Sequence, residues 1–317
     1  MKKKITVICW NLEQNGKNNA ALRRQAHELL AQHSPQLVLR QEMPGADGDG
    51  AAVMYELEDA LGMRGWLGPR SCTAVFADQK VFRTVREWPQ TGPMWVLPPT
   101  ALTMRYLPAG QDALPMVVGS FHLNYASTTT RAAEAEWLTT FADKRWATPE
   151  GGTVRIPALL GGDANSYPGP SGFVEPALPV LDSIRDEPHR VHRSYPEAGQ
   201  RRMDTRPDEI LCTAGLHDVA VHCADRPQGN ADALAPTVDS CETHGPEARI
   251  DRMYATGELL PAVIDVDVIP VPLVISDHHA LRLTLDGGLL ADILNRQPVS
   301  SLTRPGKGAE GTLAAVG

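Results

Sequence analysis

Six times along this chain a short apolar run stops abruptly at polar groups able to hold a metal ion or a phosphate. The first three are Cys9-Trp10-Asn11-Leu12-Glu13, Leu39-Arg40-Gln41-Glu42 and Ser120-Phe121-His122-Leu123-Asn124. The others are Leu160-Gly161-Gly162-Asp163-Ala164-Asn165, Arg249-Ile250-Asp251 and Ser276-Asp277-His278. Short apolar runs bounded by turn residues read as buried strands. Strand ends of a sheet fold meet at one edge, so these groups are expected to share a pocket. Carboxylates, amides and imidazoles crowded together are costly unless a cation or an anionic substrate compensates them.

The rest of the sequence supplies the elements such a fold needs. Ile5–Trp10 is predicted to open the fold as a strand, followed by a helix over Asn18–His33 that ends at Ser34-Pro35. Gln36–Gln41 and Thr73–Phe76 read as strands, with a short helix over Leu57–Leu61 between them. Leu102–Tyr106 and Met116–Phe121 flank a Pro/Gly turn and are expected to pair antiparallel. A helix is predicted over Thr128–Trp146, then a short strand over Ala158–Leu160 that runs into Gly161-Gly162-Asp163. Residues 166–206 are rich in Pro, Gly and Arg without clear period and read as a long loop. Asp208–Leu216 reads as a helix, and Arg249–Tyr254 and Leu281–Leu285 as closing strands. One catalytic domain over 1–295 is expected, with a flexible tail over 296–317, where Ser, Pro, Gly and Lys take over.

With 317 residues, 42% of them hydrophobic and 21% charged, the chain has the composition of an ordinary globular protein. Its formal net charge of -8 argues against a protein that coats nucleic acid by charge alone. It does not exclude a nucleic-acid enzyme, because bound cations cancel the charge of a carboxylate-lined site. Five irregularly spaced cysteines offer no disulfide framework, and a cytoplasmic setting is expected. Lys2, Lys3 and Lys4 precede an apolar run too short for a secretion signal, and no stretch approaches a membrane span. No obligate protein partner is indicated.

The six motifs, in this order and over about residues 5–285, resemble the endonuclease/exonuclease/phosphatase superfamily. Each piece alone is common by chance; six in register, each after a strand, are specific. The resemblance implies an α/β fold, a four-layer α/β/β/α sandwich of two packed mixed β-sheets flanked by helices. It implies a divalent-metal-dependent phosphoester hydrolase using Mg²⁺, with Mn²⁺ as a substitute. Glu42, Asn11 and Asp277 then correspond to the metal side, Glu42 as the principal ligand. Asp163 corresponds to the group that positions or deprotonates the attacking water, and Asn165 to a donor to a phosphate oxygen. Asp251 and His278 resemble the family's carboxylate–imidazole pair, and His122 a histidine at the phosphate or leaving group. Asn124 is placed as a further phosphate donor. Two positions depart from the pattern. Glu13 stands where several nucleases carry Asp, and the Glu that partners the His122 equivalent in deoxyribonucleases has no counterpart in residues 70–80.

Arg185, Arg190, Arg193, Arg201, Arg202 and Arg206 follow the Asp163 motif, interleaved with Asp186, Glu187, Glu197 and Asp204. Arg190 and Arg193 are taken as substrate-binding, since guanidinium groups suit phosphate, against an ordinary solvated loop as the alternative. His279 reads as structural. Cys212, Cys223, Cys241 and the neighbouring histidines match no zinc framework. The leading expectation is a nuclease acting on DNA or RNA. A hydrolase for a small phosphorylated molecule stays open, because 5% aromatic residues leave few stacking platforms for single strands. An inactive binding protein on the same scaffold is disfavoured by the intact set of acidic groups.

Overall fold

The structure is a computed structural model that describes residues 4–148, 151–170 and 178–296. Ile5, Thr6, Val7 and Ile8 are β-branched in succession and form the heart of strand β1, Lys4–Asn11. Numbered along the chain, β2 is Leu37–Gln41, β3 Arg64–Leu67, β4 Thr73–Ala77, β5 Phe82–Glu87 and β6 Thr100–Tyr106. Next come β7 Met116–His122, β8 Ala158–Asp163, β9 Leu216–Asp218, β10 Asp251–Thr256, β11 Val263–Ile269 and β12 Ala280–Asp286. They form two six-stranded sheets, ordered β11-β12-β1-β2-β4-β3 and β9-β10-β8-β7-β6-β5. Each sheet is mixed: β1 and β2 run parallel in the first and β7 and β8 in the second, the other pairs antiparallel.

That pattern puts the functional ends on one edge. Asn11 closes β1 opposite Gln41, the last residue of its parallel neighbour β2. Asp163 closes β8 opposite His122, the last residue of the parallel β7. Asp251 opens the antiparallel β10, so it too stands opposite Asp163. The Ser276-Asp277-His278 segment leads into β12, whose start lies beside the end of β1.

The sheets pack face to face over one apolar layer that includes Ile5, Val7, Leu39, Val75, Leu102, Val118, Leu159, Met253 and Leu283. Helices α1, Ala20–Gln32, and α2, Ala52–Leu61, cover the outer face of the first sheet through Ala26, Leu30, Met54 and Leu57. Helix α3, Thr128–Thr139, covers the second through Ala135 and Leu138, and a later helix, Arg206–Thr213, adds Leu211. The result is the four-layer α/β/β/α sandwich. Burying these side chains is the main stabilising term, at roughly 1.5–3 kcal/mol each.

The double glycine before Asp163 is dictated by packing. A Cβ on Gly161 would sit 2.8 Å from Leu39 Cδ1 of the facing sheet and from Met253 Cγ of the neighbouring strand, and one on Gly162 would overlap the Phe121 carbonyl oxygen. Deep between the sheets, Gln41 donates to Ser120 Oγ at 2.8 Å, and Ser120 Oγ to the Arg40 carbonyl at 2.7 Å. This buried polar bridge joins the two sheets just beneath the site.

Several elements differ from the sequence expectation. The helix predicted over Thr128–Trp146 ends at Thr139, and Trp146 lies in a small hairpin of Arg145–Ala147 with Thr153–Arg155. The helix predicted over Asp208–Leu216 runs over Arg206–Thr213, and Leu216 begins β9 instead. The stretch read as a loop over 166–206 holds helix α4, Glu187–His192, capped by the Asp186 side chain, and a hairpin of Ser194–Glu197 with Gln200–Met203. Strands β3, β5 and β11 add to those the sequence predicts. The expected tail, Gln297 onward, lies outside the described residues. Among the described residues, no helix is long and apolar enough to cross a membrane.

Candidate active site

The polar edge opens into a cleft of about 400 Å³. Glu42, His122, Asp163, Asn165, Arg193, Asp277 and His278 all line it, so strand ends from both sheets meet there. Asn11 lies fully buried behind Glu42 and Asp163. Its amide nitrogen donates to Glu42 Oε1 at 3.2 Å and to Asp163 Oδ2 at 3.0 Å.

The Ser276-Asp277-His278 turn is held against β1. Ser276 Oγ donates to the Asn11 carbonyl at 3.0 Å and accepts from the backbone N–H groups of Glu13 and His278. Trp10 Nε1 donates to the His278 carbonyl at 3.0 Å. His278 Nδ1 then meets Asp251 Oδ2 at 2.8 Å, leaving Nε2 toward the cleft, 3.9 Å from Asp163 Oδ2 and 4.0 Å from Asp277 Oδ1. Asp251 is fully buried, and its backbone N–H donates to Thr237 Oγ1. Burial opposes a charge on His278, but Asp251, Asp163 and Asp277 outweigh it and raise its pKa to about 10. For Asp251, burial lifts the carboxyl above its ordinary value and His278 draws it back. The pair therefore holds one proton near neutral pH, with the imidazolium facing the cleft.

Asp163 sits between two imidazoles. Burial would raise its pKa, but His122, with Nε2 3.4 Å from Oδ2, and His278 hold the carboxyl well below the usual carboxylate range. Its Oδ1 accepts from the Asn165 N–H at 2.7 Å, and Asn165 adopts a left-handed φ of 48° to make this turn. Burial likewise disfavours protonation of His122, yet the Asp163 contact raises its pKa. Here lies the acidic partner that residues 70–80 do not supply: His122 pairs with Asp163 itself.

The donor set fits a hard divalent cation. Glu42 also takes a strained left-handed φ of 53°, which turns its carboxylate into the cleft, where Oε2 accepts from the Gln14 N–H at 2.6 Å. Asn11 Oδ1 and Asp277 Oδ1 are buried with no hydrogen-bond partner among the described residues. Unsatisfied oxygens beside carboxylates are the ligands Mg²⁺ prefers. Asp163, Asp251 and His278 also offer ligand atoms within 4.8 Å of one another. Their close approach is already accounted for by the His278–Asp251 hydrogen bond, which a metal there would have to displace.

The remaining expected residues fall unevenly. Arg193 lines the cleft, and its Nη1 is buried without a partner among the described residues. Arg190 turns away to the Ile184 carbonyl, and Asn124 spends its side-chain oxygen on the Ala126 and Ser127 N–H groups, so neither lines the cleft. Glu13 pairs with Lys17 at 3.2 Å. His279 accepts from the Val271 N–H through Nδ1 and faces Asp239.

Two supporting residues gave no signal in the sequence. Glu134, on α3, is fully buried and accepts from the Asn124 and Val96 N–H groups. Arg131 is also fully buried; it grips Asp204 Oδ2 with two nitrogens and donates to the Asn124 and His192 carbonyls. It thereby ties the loop after β7 to the end of α4, next to Arg193.

The architecture is that of endonuclease/exonuclease/phosphatase proteins. A family protein from Bacteroides thetaiotaomicron superposes with a TM-score of 0.57 at 17% identity, over 90% of this chain and 95% of that one. A second, from Bacteroides vulgatus, gives 0.58 at 14% identity over 90% and 99%. TDP2 from D. rerio, solved with a single-strand DNA product, gives 0.56 at 13% identity over 89% and 98%. No protein-family model and no curated protein matches the chain.

Proposed function

We propose that the protein is a divalent-metal-dependent phosphoester hydrolase, and within that class a phosphodiesterase cleaving DNA or RNA. The observation that carries this reading is the meeting of an Asp251–His278 pair, the ionised Asp163 and the Glu42 and Asp277 carboxylates in one cleft. The fold neighbours support it, one of them holding a DNA product.

Glu42, Asn11 and Asp277 would hold Mg²⁺ or Mn²⁺, which when bound neutralises charge on the phosphoryl oxygens. Asp163, kept ionised, accepts a hydrogen bond from the attacking water and fixes it in line with the leaving oxygen. A carboxylate with so low a proton affinity orients water better than it removes the proton. Asn165 and His122 donate to non-bridging oxygens. His278 Nε2–H donates to the phosphoryl group as charge accumulates, and Asp251 holds its tautomer and charge. Arg193 adds a bidentate phosphate contact. Residues 1–295 are read as the catalytic domain, in a reducing, cytoplasmic setting consistent with five free cysteines.

A second reading, hydrolysis of a small phosphorylated molecule, is favoured by the cleft's volume of about 400 Å³, the size of a single-ligand pocket. The deciding experiment is a Mg²⁺-dependent hydrolysis screen of duplex DNA, single-stranded DNA and RNA against nucleotides, inositol phosphates and sphingomyelin, with Asp163→Ala as control. Polynucleotide turnover with a KM that rises steeply with salt supports the nuclease. Turnover of small esters alone supports the second reading, and full activity in Asp163→Ala contradicts both.

A further inference from the structure

Four rings stand in an unbroken row along the rim of the cleft. His244, from the loop between β9 and β10, lies 4.3 Å from His189 on α4, centroid to centroid. His189 lies 5.4 Å from His192, also on α4, and His192 meets Tyr125 edge-on at 6.4 Å. Tyr125, His189 and His244 all line the cleft, and Tyr125 is 58% exposed. Three segments far apart in sequence converge to build this row, and the core explains none of it: no ring here belongs to the apolar layers. Arg193, the residue that closes α4, places its guanidinium in the same cleft. Rings beside a cationic phosphate contact are the two halves of a nucleotide site, since aromatic and imidazole faces stack on bases.

We propose that Tyr125, His192, His189 and His244 form a base-stacking ledge that seats a nucleobase flanking the phosphate to be cleaved. The proposal rests on the phosphodiesterase reading and narrows it: the preferred substrate carries a nucleobase next to the reacting phosphate. The low overall aromatic content is then no obstacle, because the few rings are gathered where a base would lie. Arg193 and the ledge act together, the guanidinium fixing the phosphate and the rings fixing the base. His192 is edge-on to both neighbours, so Tyr125, His189 and His244 present the faces that receive the base.

The test uses a thymidine dinucleotide, two analogues lacking the base on one side or the other of the phosphate, and a fourth lacking both. Hydrolysis is followed by chromatography with the full-length protein and Mg²⁺. Loss of one of the two bases is expected to lower kcat/KM by about tenfold or more, mainly through KM. The double variant Tyr125→Ala/His189→Ala is expected to bring the substrates to within about threefold of one another, while Tyr125→Phe, which keeps a stacking ring, retains the preference. Equal kcat/KM for the dinucleotide and both single-base analogues would overturn the ledge while leaving the phosphodiesterase reading intact. A preference unaltered in the double variant would overturn it too. No hydrolysis of any of the four removes the phosphodiesterase reading, and the ledge with it.

Discussion

Asn11 and Asp163 are 152 positions apart and end strands of different sheets, yet the Asn11 amide donates to the Asp163 carboxylate across 3.0 Å. The same nitrogen reaches Glu42, so one side chain couples the candidate metal side to the candidate water-binding carboxylate. The two halves of the sandwich are registered to each other at the site.

Replacing Asn11 with Ala should therefore damage two functions at once. The expected result is a loss of about 10–100-fold in apparent Mg²⁺ affinity, the usual effect of losing an orienting partner, together with a lower kcat. Metal titration of phosphodiester turnover separates the two. A variant with unchanged Mg²⁺ dependence would remove Asn11 from the metal side.

Asp251→Asn should leave the fold intact, because the amide is nearly the same shape, but it removes the charge that keeps His278 protonated. The expected loss in kcat is about 10²–10⁴-fold, the range seen for a positioned acid or base, with KM little changed. The optimum on the alkaline side should also move to lower pH, because the wild-type imidazolium persists toward pH 10 and the variant's would not. A pH–rate profile of both proteins checks it.

His27 gives a stability prediction remote from the site. Burial, reinforced by the Arg40 and Arg23 charges, lowers its pKa to about 3, and neither ring nitrogen has a hydrogen-bond partner among the described residues. The folded pKa lies below the unfolded value, so the unfolded chain binds the extra proton. Its contribution is fully present above pH 6.5 and is lost as pH falls toward 3. His27→Leu should flatten the acid side of the stability curve, whose slope from this residue approaches about 1.4 kcal/mol per pH unit. Urea midpoints at neutral and mildly acidic pH give the comparison; parallel curves for the two proteins would contradict it.

The Arg131–Asp204 pair is buried on both sides. Arg131→Met should cost up to about 3–5 kcal/mol, since it leaves the buried Asp204 carboxylate with Arg206 on Oδ1 and no Arg131 on Oδ2, whereas adding Asp204→Leu should recover part of that loss. Thermal unfolding of the single and double variants checks the ordering. A double variant as unstable as the single one would show that the backbone contacts of Arg131 matter more than its charge.

The candidate site was legible because each of its side chains stands at one end of an apolar run, so position along the strand places it at the sheet edge. Asp163 and Asp251 needed no distant information. Residues whose role depends on a partner far away gave no such signal: Arg131 and Glu134 look like ordinary helix charges until Asp204, Val96 and the loop after β7 fold onto them. The hairpin at Ser194–Glu197 was hidden by its polar composition, because a two-stranded flap outside the core has no buried face to impose alternation. Strand β11 alternates, with Asp265 and Asp267 between Ile264, Val266 and Val268, but Pro261 and Pro270 flank it closely and mask the strand signal. The ring row was out of reach, since its members come from three separate segments.

The most direct measurement is Mg²⁺ add-back to EDTA-stripped protein, read as phosphodiester hydrolysis in the wild type and in Glu42→Gln. The stripped wild type should be inactive and recover fully with Mg²⁺, and Glu42→Gln should need at least about tenfold more metal or fail to recover. Stripped protein that hydrolyses phosphodiesters at the full rate would contradict a metal-dependent site built on Glu42.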